Sequence, residues 1–218
     1  MYTNVNLAAP IGALALFGTG VILLVAAILL IQALIVRKSG RAKISLGVMA
    51  MFAAIYFGVM LIFSLVSHDK LLARGEEKHF CELDCHLAYS IINTAQAKTI
   101  GDNGKPATAQ GQFTIVTIQT RFDETTIGPR RGDGLLYPNG RALTLIDEHG
   151  NRYRPAIQIG TPLTSPLRPA EAYTTQVAFD LPESVKATAL LINEDGWETH
   201  LIVGHENSPF HGKARFQL

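Results

Sequence analysis

The sequence predicts a two-helix transmembrane hairpin followed by an all-β, immunoglobulin-like sandwich of about seven strands, and three observations carry that reading. Residues 1–36 and 44–67 contain no Asp, Glu, Lys or Arg, so all 19 basic and 18 acidic residues fall in the short piece 37–43 and in the tail from 68 onward. The two uncharged stretches are each long enough to cross a bilayer. The tail instead consists of short apolar runs separated by turn chemistry, with no sustained helical period. With 48% apolar and 17% charged residues, the composition excludes disorder, collagen and a purely soluble globule. Two cysteines are too few for a disulfide scaffold, and a formal charge of +1 gives no whole-chain reason to bind nucleic acid.

The first span covers residues 11–36, 26 residues without a charge, or about 39 Å of helix against a hydrocarbon core of about 30 Å. It is too long for the apolar region of a signal peptide, no basic region precedes it, and a second span follows at once. That second span covers residues 44–67. Between them Arg37, Lys38, Arg41 and Lys43 place four positive charges in seven residues, while the ten residues before the first span carry none. The positive-inside rule puts this loop in the cytoplasm of a bacterial cell, with both termini on the periplasmic or extracellular side. The exported segment 69–218 has 15 basic and 18 acidic residues, so it offers no polybasic face to anionic lipid or nucleic acid.

Residues 68–86 form a polar juxtamembrane neck, read as partly helical, that ends in Cys81 and Cys85. The sandwich is expected over 87–218. Residues 87–93 form a first strand, the loop 97–112 follows, and 113–122 alternates Val116, Ile118 and Phe122 against Thr117, Gln119 and Arg121. Residues 142–147 and 151–156 flank the turn Glu148-His149-Gly150 as a hairpin. Residues 173–181 put Tyr173, Thr175, Val177, Phe179 and Leu181 on one face, and Pro182 ends them. Residues 187–193 and 197–203 flank Glu194-Asp195-Gly196 as a second hairpin, and 214–218 close as a last strand. Trp197 and Phe210 read as core or loop anchors.

The segments LIDEHGNRYRP, PLRPAEAYTTQVAFDLP and GHENSPFHGKARFQL cover the last third of the chain. They resemble the immunoglobulin-like domains that many bacteria tether outside the membrane, where a Leu-x-Asp-x-x-Gly-x-x-Tyr hairpin precedes a Leu-x-Pro-Gly-Glu turn and a Phe-Asp-x-Pro strand end. Ala170 stands where that family usually has Gly. The resemblance implies a fold and an address but no activity. The plan of a two-helix hairpin followed by a sandwich is also similar to cytochrome oxidase subunit II. That family's dinuclear copper motif lies late in its sandwich and needs a histidine and a methionine after two cysteines. Here the cysteines stand at the front of the domain, followed by Tyr89 and Ile92, so that site is not carried over.

Cys81-Glu82-Leu83-Asp84-Cys85-His86 is the densest chemical feature. Four readings stay open. Cys81 and Cys85 can form a disulfide, since residues four apart in a helical turn have Cα atoms about 6 Å apart and the compartment is oxidising. The Cys-His ending suggests haem c attachment, although the usual spacing is one residue shorter. Thiolate and imidazole together suit copper or zinc. Free exchange-active thiols are the fourth reading. His205 and His211 lie in a loop with Pro209 and two glycines, whose side chains either hold the loop's own backbone or join Cys81, Cys85 and His86 in a metal site. Arg131-Gly132-Asp133 reads as ordinary turn chemistry rather than an adhesive motif. No nucleophile elbow, phosphate loop, zinc-hydrolase pair or EF-hand pattern is present.

The sequence therefore points to a non-enzymatic accessory or binding protein, the subunit or partner of a membrane complex or the receptor of an envelope ligand. The rival reading is a metal- or haem-binding protein using Cys81, Cys85 and His86, with His205 and His211.

Overall fold

The computed structural model describes residues 8–80, 85–101, 106–125 and 132–218. Two compact units divide it: the two helices together with Trp197–Gly212, and a β-sandwich made of Asp69–Gly196 and Lys213–Leu218.

In the first unit α1 spans Ala8–Ile35 and α2 spans Ser39–Val66. Both are long and apolar enough to cross a membrane. Pro10 stands in the first turn of α1, where a missing N–H breaks no helical hydrogen bond. Arg37 ends α1 in the left-handed region (φ 54°), and the Lys38 N–H bonds the Ala33 carbonyl at 2.8 Å. This is the closure that glycine usually provides. Arg37, Lys38, Arg41 and Lys43 are all exposed. So are large apolar side chains along both helices, among them Leu14, Phe17, Ile28, Ile44, Ile62 and Leu65. A soluble protein rarely shows so continuous an apolar surface, whereas lipid accepts it. Ser67 caps α2, its hydroxyl donating to the Ser64 carbonyl at 2.6 Å.

Among the described residues the second unit contains ten strands: β1 (Lys70–Leu72), β2 (Lys78–Phe80), β3 (Leu87–Ile100), β4 (Ala107–Phe122), β5 (Arg141–Asp147), β6 (Arg152–Tyr153), β7 (Ile157–Gly160), β8 (Ala172–Leu181), β9 (Ala187–Glu194) and β10 (Ala214–Gln217). One sheet has the order β1-β10-β9-β5-β6 and the other β2-β3-β4-β8-β7. Leu72, Phe80, Tyr89, Ile118, Phe179 and Phe216 lie in the core between them. Each such side chain contributes about 1.5–3 kcal/mol of burial. The expected alternation holds: Val116, Ile118 and Phe122 of β4 and Thr175, Val177, Phe179 and Leu181 of β8 are all buried.

Four expectations are corrected. Residues 68–80 of the neck are not helical, for β1 and β2 occupy them and belong to the sandwich, raising the strand count among the described residues from about seven to ten. β1 pairs in parallel with the C-terminal β10, and β2 pairs with β3, so the backbone of these two strands is held in ladders. The loop at 97–112 is largely strand, because β3 and β4 run on beyond the neighbouring strands as a two-stranded arm. The hairpin expected at 187–203 does not form. β9 pairs with β5 and β10 instead, while 197–203 becomes a short 3-10 turn and bend of the helical unit. Its apolar residues find a partner surface there, where Val203 packs with Tyr56, Met60 and Leu16. Trp197 and Phe210 are not core anchors but are 74% and 81% exposed.

The β5–β6 hairpin shows what the Leu-x-Asp-x-x-Gly-x-x-Tyr pattern does physically. Asp147 Oδ1 accepts the N–H groups of His149 and Asn151 at 2.8 Å each, and Oδ2 accepts the Asn151 amide at 2.8 Å and the Tyr153 hydroxyl at 2.9 Å. Gly150 supplies the positive φ of 83° that the turn requires.

Candidate functional site

A polar cluster is built where β2, β3 and β4 meet. Antiparallel pairing places His79 opposite Ala88 and Ala88 opposite Arg121, so these three share one row across the sheet. The methyl group of Ala88 leaves room for the two long side chains to converge on Asp123, just past the end of β4. His79 Nε2 lies 2.9 Å from Asp123 Oδ2. Arg121 clamps Glu77 through two bonds, Nε to Oε1 at 2.6 Å and Nη2 to Oε2 at 2.7 Å, and Nη2 also reaches Asp123 Oδ2 at 3.1 Å. The Thr125 N–H and hydroxyl donate to Asp123 Oδ1 at 3.0 and 2.7 Å.

His86 joins from the start of β3. Its Nδ1 donates to the Asp123 carbonyl at 2.6 Å, the Asp123 N–H donates to the His86 carbonyl at 2.7 Å, and its ring stacks on Phe122 with centroids 5.0 Å apart. Asp123, His79, His86 and Cys85 are all at most 5% exposed.

Burial by itself would raise the Asp123 pKa. Hydrogen bonds from Thr125 and His79 and the charge of Arg121 outweigh it and hold this carboxyl well below the usual carboxylate range. The bidentate bond to Glu77 raises the Arg121 pKa, against the opposing effect of burial. The cluster is thus a charged, closed network. When the neutral His79 ring donates from Nε2 to Asp123, its Nδ1 carries a lone pair, and that atom is buried without a hydrogen-bond partner. Among the described residues, Glu77, His79 and Asp123 form the one group of three potential metal ligands, with ligand atoms within 4.8 Å of one another. Arg121 already bonds both carboxylates, so a cation entering between them has to displace the guanidinium.

Of the sequence candidates, the structure brings His86 to this cluster, and Cys85, its neighbour in sequence, is buried. Cys81 and Arg131 lie outside the described residues. His205 and His211 belong to the helical unit, and no group of potential metal ligands among the described residues includes them. Both serve their own loop: His205 Nδ1 accepts the Asn207 N–H at 3.0 Å, and His211 Nδ1 donates to the Gly212 carbonyl at 2.7 Å. Glu77, His79, Arg121 and Asp123 were not candidates in the sequence. Their signal was two-residue spacing: Glu77-x-His79 and Arg121-x-Asp123 each put a pair of charged or polar groups on one face of a strand.

No protein-family model matches the chain, and no curated protein sequence matches it. Among solved structures, it overlaps with a secreted protein from Mycobacterium tuberculosis at 12% identity, with a TM-score of 0.44, over 69% of this chain and 98% of that one. It also overlaps with an uncharacterized β-sandwich protein from Clostridium difficile at 11% identity, with a TM-score of 0.42, over 70% of this chain and 95% of that one. Overlap at that level carries nothing about activity.

Proposed function

We propose that the protein is a non-enzymatic, membrane-anchored accessory or binding protein. α1 and α2 span the cytoplasmic membrane of a bacterium, the Arg37–Lys43 loop is cytoplasmic, and an immunoglobulin-like sandwich stands outside as the subunit or partner of a membrane complex. The observation that carries this reading is the hairpin: two 28-residue helices with exposed apolar side chains, joined by a turn of exposed cations. The closed cluster around Asp123 supports a structural role for its charges, because each carboxylate is engaged by Arg121. Cys81 and Cys85 form a disulfide in this reading. Support comes from the burial of Cys85 and from there being no free cysteine among the described residues.

The test is a topology map combined with partner capture. A periplasm-active phosphatase fused after Leu218 should be active, and a fluorescent protein that folds only in the cytoplasm should fluoresce when inserted at Gly40. The reverse pattern would refute the orientation. In-cell crosslinking from the sandwich surface should yield a discrete membrane-protein adduct. Monomer alone at saturating crosslinker would count against the accessory role.

A second reading has its own observation. His79 and His86 each have one ring nitrogen fixed by Asp123, through its carboxylate and its carbonyl, and this is how ligating imidazoles are oriented. With Cys81 and Cys85 reduced, such imidazoles would suit copper or zinc, and the Cys-His sequence would suit haem c. Protein purified in mild detergent without chelator or reductant decides between them. Blocked thiols and no bound metal or haem fit the bridge. One equivalent of metal or haem, lost in His86→Ala, fits the second reading.

A further inference from the structure

We infer that the excursion Trp197–Gly212 is a membrane-interface anchor, presenting Trp197 and Phe210 to the headgroup layer of the outer leaflet. The inference rests on the reading of α1 and α2 as membrane-spanning.

The excursion leaves the sandwich after β9, returns at β10, and is packed as part of the helical unit. The Tyr56 hydroxyl donates to the Leu201 carbonyl at 2.6 Å, and the Gly212 N–H donates to Ser67 Oγ at 2.7 Å. Val203 is buried against Tyr56 and Met60. It passes so close to α1 that a Cβ on Gly12 would collide with the Val203 carbonyl. Internal bonds hold the loop in shape: Asn207 Nδ2 donates to Thr199 Oγ1 at 2.8 Å, and the Ser208 hydroxyl donates to the Ile202 carbonyl.

The contacts on the helices give its depth. A hydrocarbon core of about 30 Å takes about 20 helical residues. Counted from the basic loop, which lies at the cytoplasmic headgroups, that length ends near Phe17 in α1 and Phe63 in α2. Of the helix residues it touches, Gly12 lies five residues outside this level, and Met60 and Tyr56 lie three and seven residues inside it, so the excursion sits across the outer hydrocarbon boundary. The excursion exposes the chain's sole tryptophan and Phe210. Amphipathic and aromatic rings are favoured in that layer. Phe210 has φ 64°, a conformation that a bulky L-residue rarely adopts, so the loop holds this ring outward against its local backbone preference. The excursion contains Glu198 and Glu206 and neither Lys nor Arg. Its attraction is therefore to the apolar and dipolar interface, not to anionic headgroups.

Because Trp197 is the only tryptophan, full-length protein reconstituted in phosphatidylcholine vesicles reports on it directly. Flotation and resistance to alkaline carbonate extraction read the hairpin. Trp197 emission should shift to the blue relative to detergent-free indole in buffer. It should be quenched more by lipids brominated near the headgroup than by lipids brominated near the chain ends, and it should be shielded from iodide present on both sides of the vesicle. The Trp197→Phe/Phe210→Trp double variant moves the reporter and should behave in the same way. Protein that floats and resists carbonate, but whose tryptophan is quenched by iodide and not by bromolipid in either variant, overturns the interface anchor and leaves the spanning helices standing. Protein that fails to float overturns both.

Discussion

Replacing Ala170 by glycine should stabilise the sandwich. Residues 168–171 form a turn in which the Glu171 N–H donates to the Arg168 carbonyl at 3.0 Å and the Arg168 N–H donates to Glu171 Oε2 at 2.7 Å. Pro169 takes the second position, which suits its fixed φ, and Ala170 takes the third with φ 63°. A Cβ in that region costs about 1–2 kcal/mol. Glycine removes that cost, but its freer unfolded chain returns about 0.4–1 kcal/mol. Ala170 is exposed, so losing its methyl group forfeits little packing. The net expectation is a gain of about 0.5–1 kcal/mol for Ala170→Gly. Ala170→Val should move the other way, since β-branching is still less compatible with positive φ. Urea unfolding of the detergent-solubilised protein, followed by near-ultraviolet circular dichroism, reads both as shifts in midpoint at constant slope. A lower midpoint for Ala170→Gly, or equal midpoints for all three proteins, would refute the turn's geometry.

Acid should weaken the β5–β6 hairpin. Burial opposes the ionised form of Asp147, but hydrogen bonds from Asn151, Tyr153 and His149 prevail and lower its pKa from 3.8 to about 2. The native pKa lies below the unfolded one, so this contribution is complete above about pH 4 and disappears as pH falls through about 2. Urea midpoints between pH 5 and pH 2 should fall less steeply in Asp147→Asn than in the wild type, and parallel curves would contradict the assignment. In the cluster, Arg121→Met leaves Asp123, 2% exposed, without its guanidinium partner. Partial solvent access at Arg121 keeps the expected cost near the lower limit for a broken buried pair, about 3 kcal/mol. Calorimetry should show Glu77→Gln/Asp123→Asn recovering part of that loss in the Arg121→Met background, and a purely additive triple variant would show that the groups are not coupled.

The parts of the fold legible in the sequence were those fixed by local pattern. The helices follow from uncharged runs, β4 and β8 from strict alternation, and the β5–β6 hairpin from the Asp147, Gly150 and Tyr153 spacing that the structure explains bond by bond. The missed parts depend on partners distant in sequence. β1 and β2 are three residues each, too short for a periodic signal, and exist because β10 and β3 pair with them. The run 197–203 has a strand's composition, yet Gly12 and Tyr56 provide the surface that takes it out of the sheet. The Asp123 cluster was hidden for the same reason. Arg121 reads as the polar side of an alternating strand, and only the register that puts Ala88 between His79 and Arg121 makes the row a site. Cys85 and His86 stood out by residue type alone, and the structure adds Asp123 as the group that orients His86.

The edges of the sandwich decide whether another strand can pair with it. The terminal strands of both sheets, β1 and β6 in one and β2 and β7 in the other, are no longer than four residues. Short edges offer little ladder for a partner strand to extend. Among the described residues, the longest exception is β3 beyond Ile91, where β2 no longer pairs with it. Yet that run is broken by register shifts at Ile91/Asn93 and Ala97/Thr99. Its Lys98 is tied across the arm to the Gly111 carbonyl at 2.5 Å and to Glu183 at 2.8 Å. Gly111 in turn accepts no side chain, because a Cβ there would strike the Leu181 carbonyl, so the arm's packing against β8 is fixed at that point. Bulges, a paired lysine and a locked base are the devices by which sheets resist strand addition. Strand addition is therefore disfavoured at these edges, and the charged row from His79 in the short edge strand β2 through Arg121 in β4 is where the fold has concentrated buried polar chemistry instead of apolar packing.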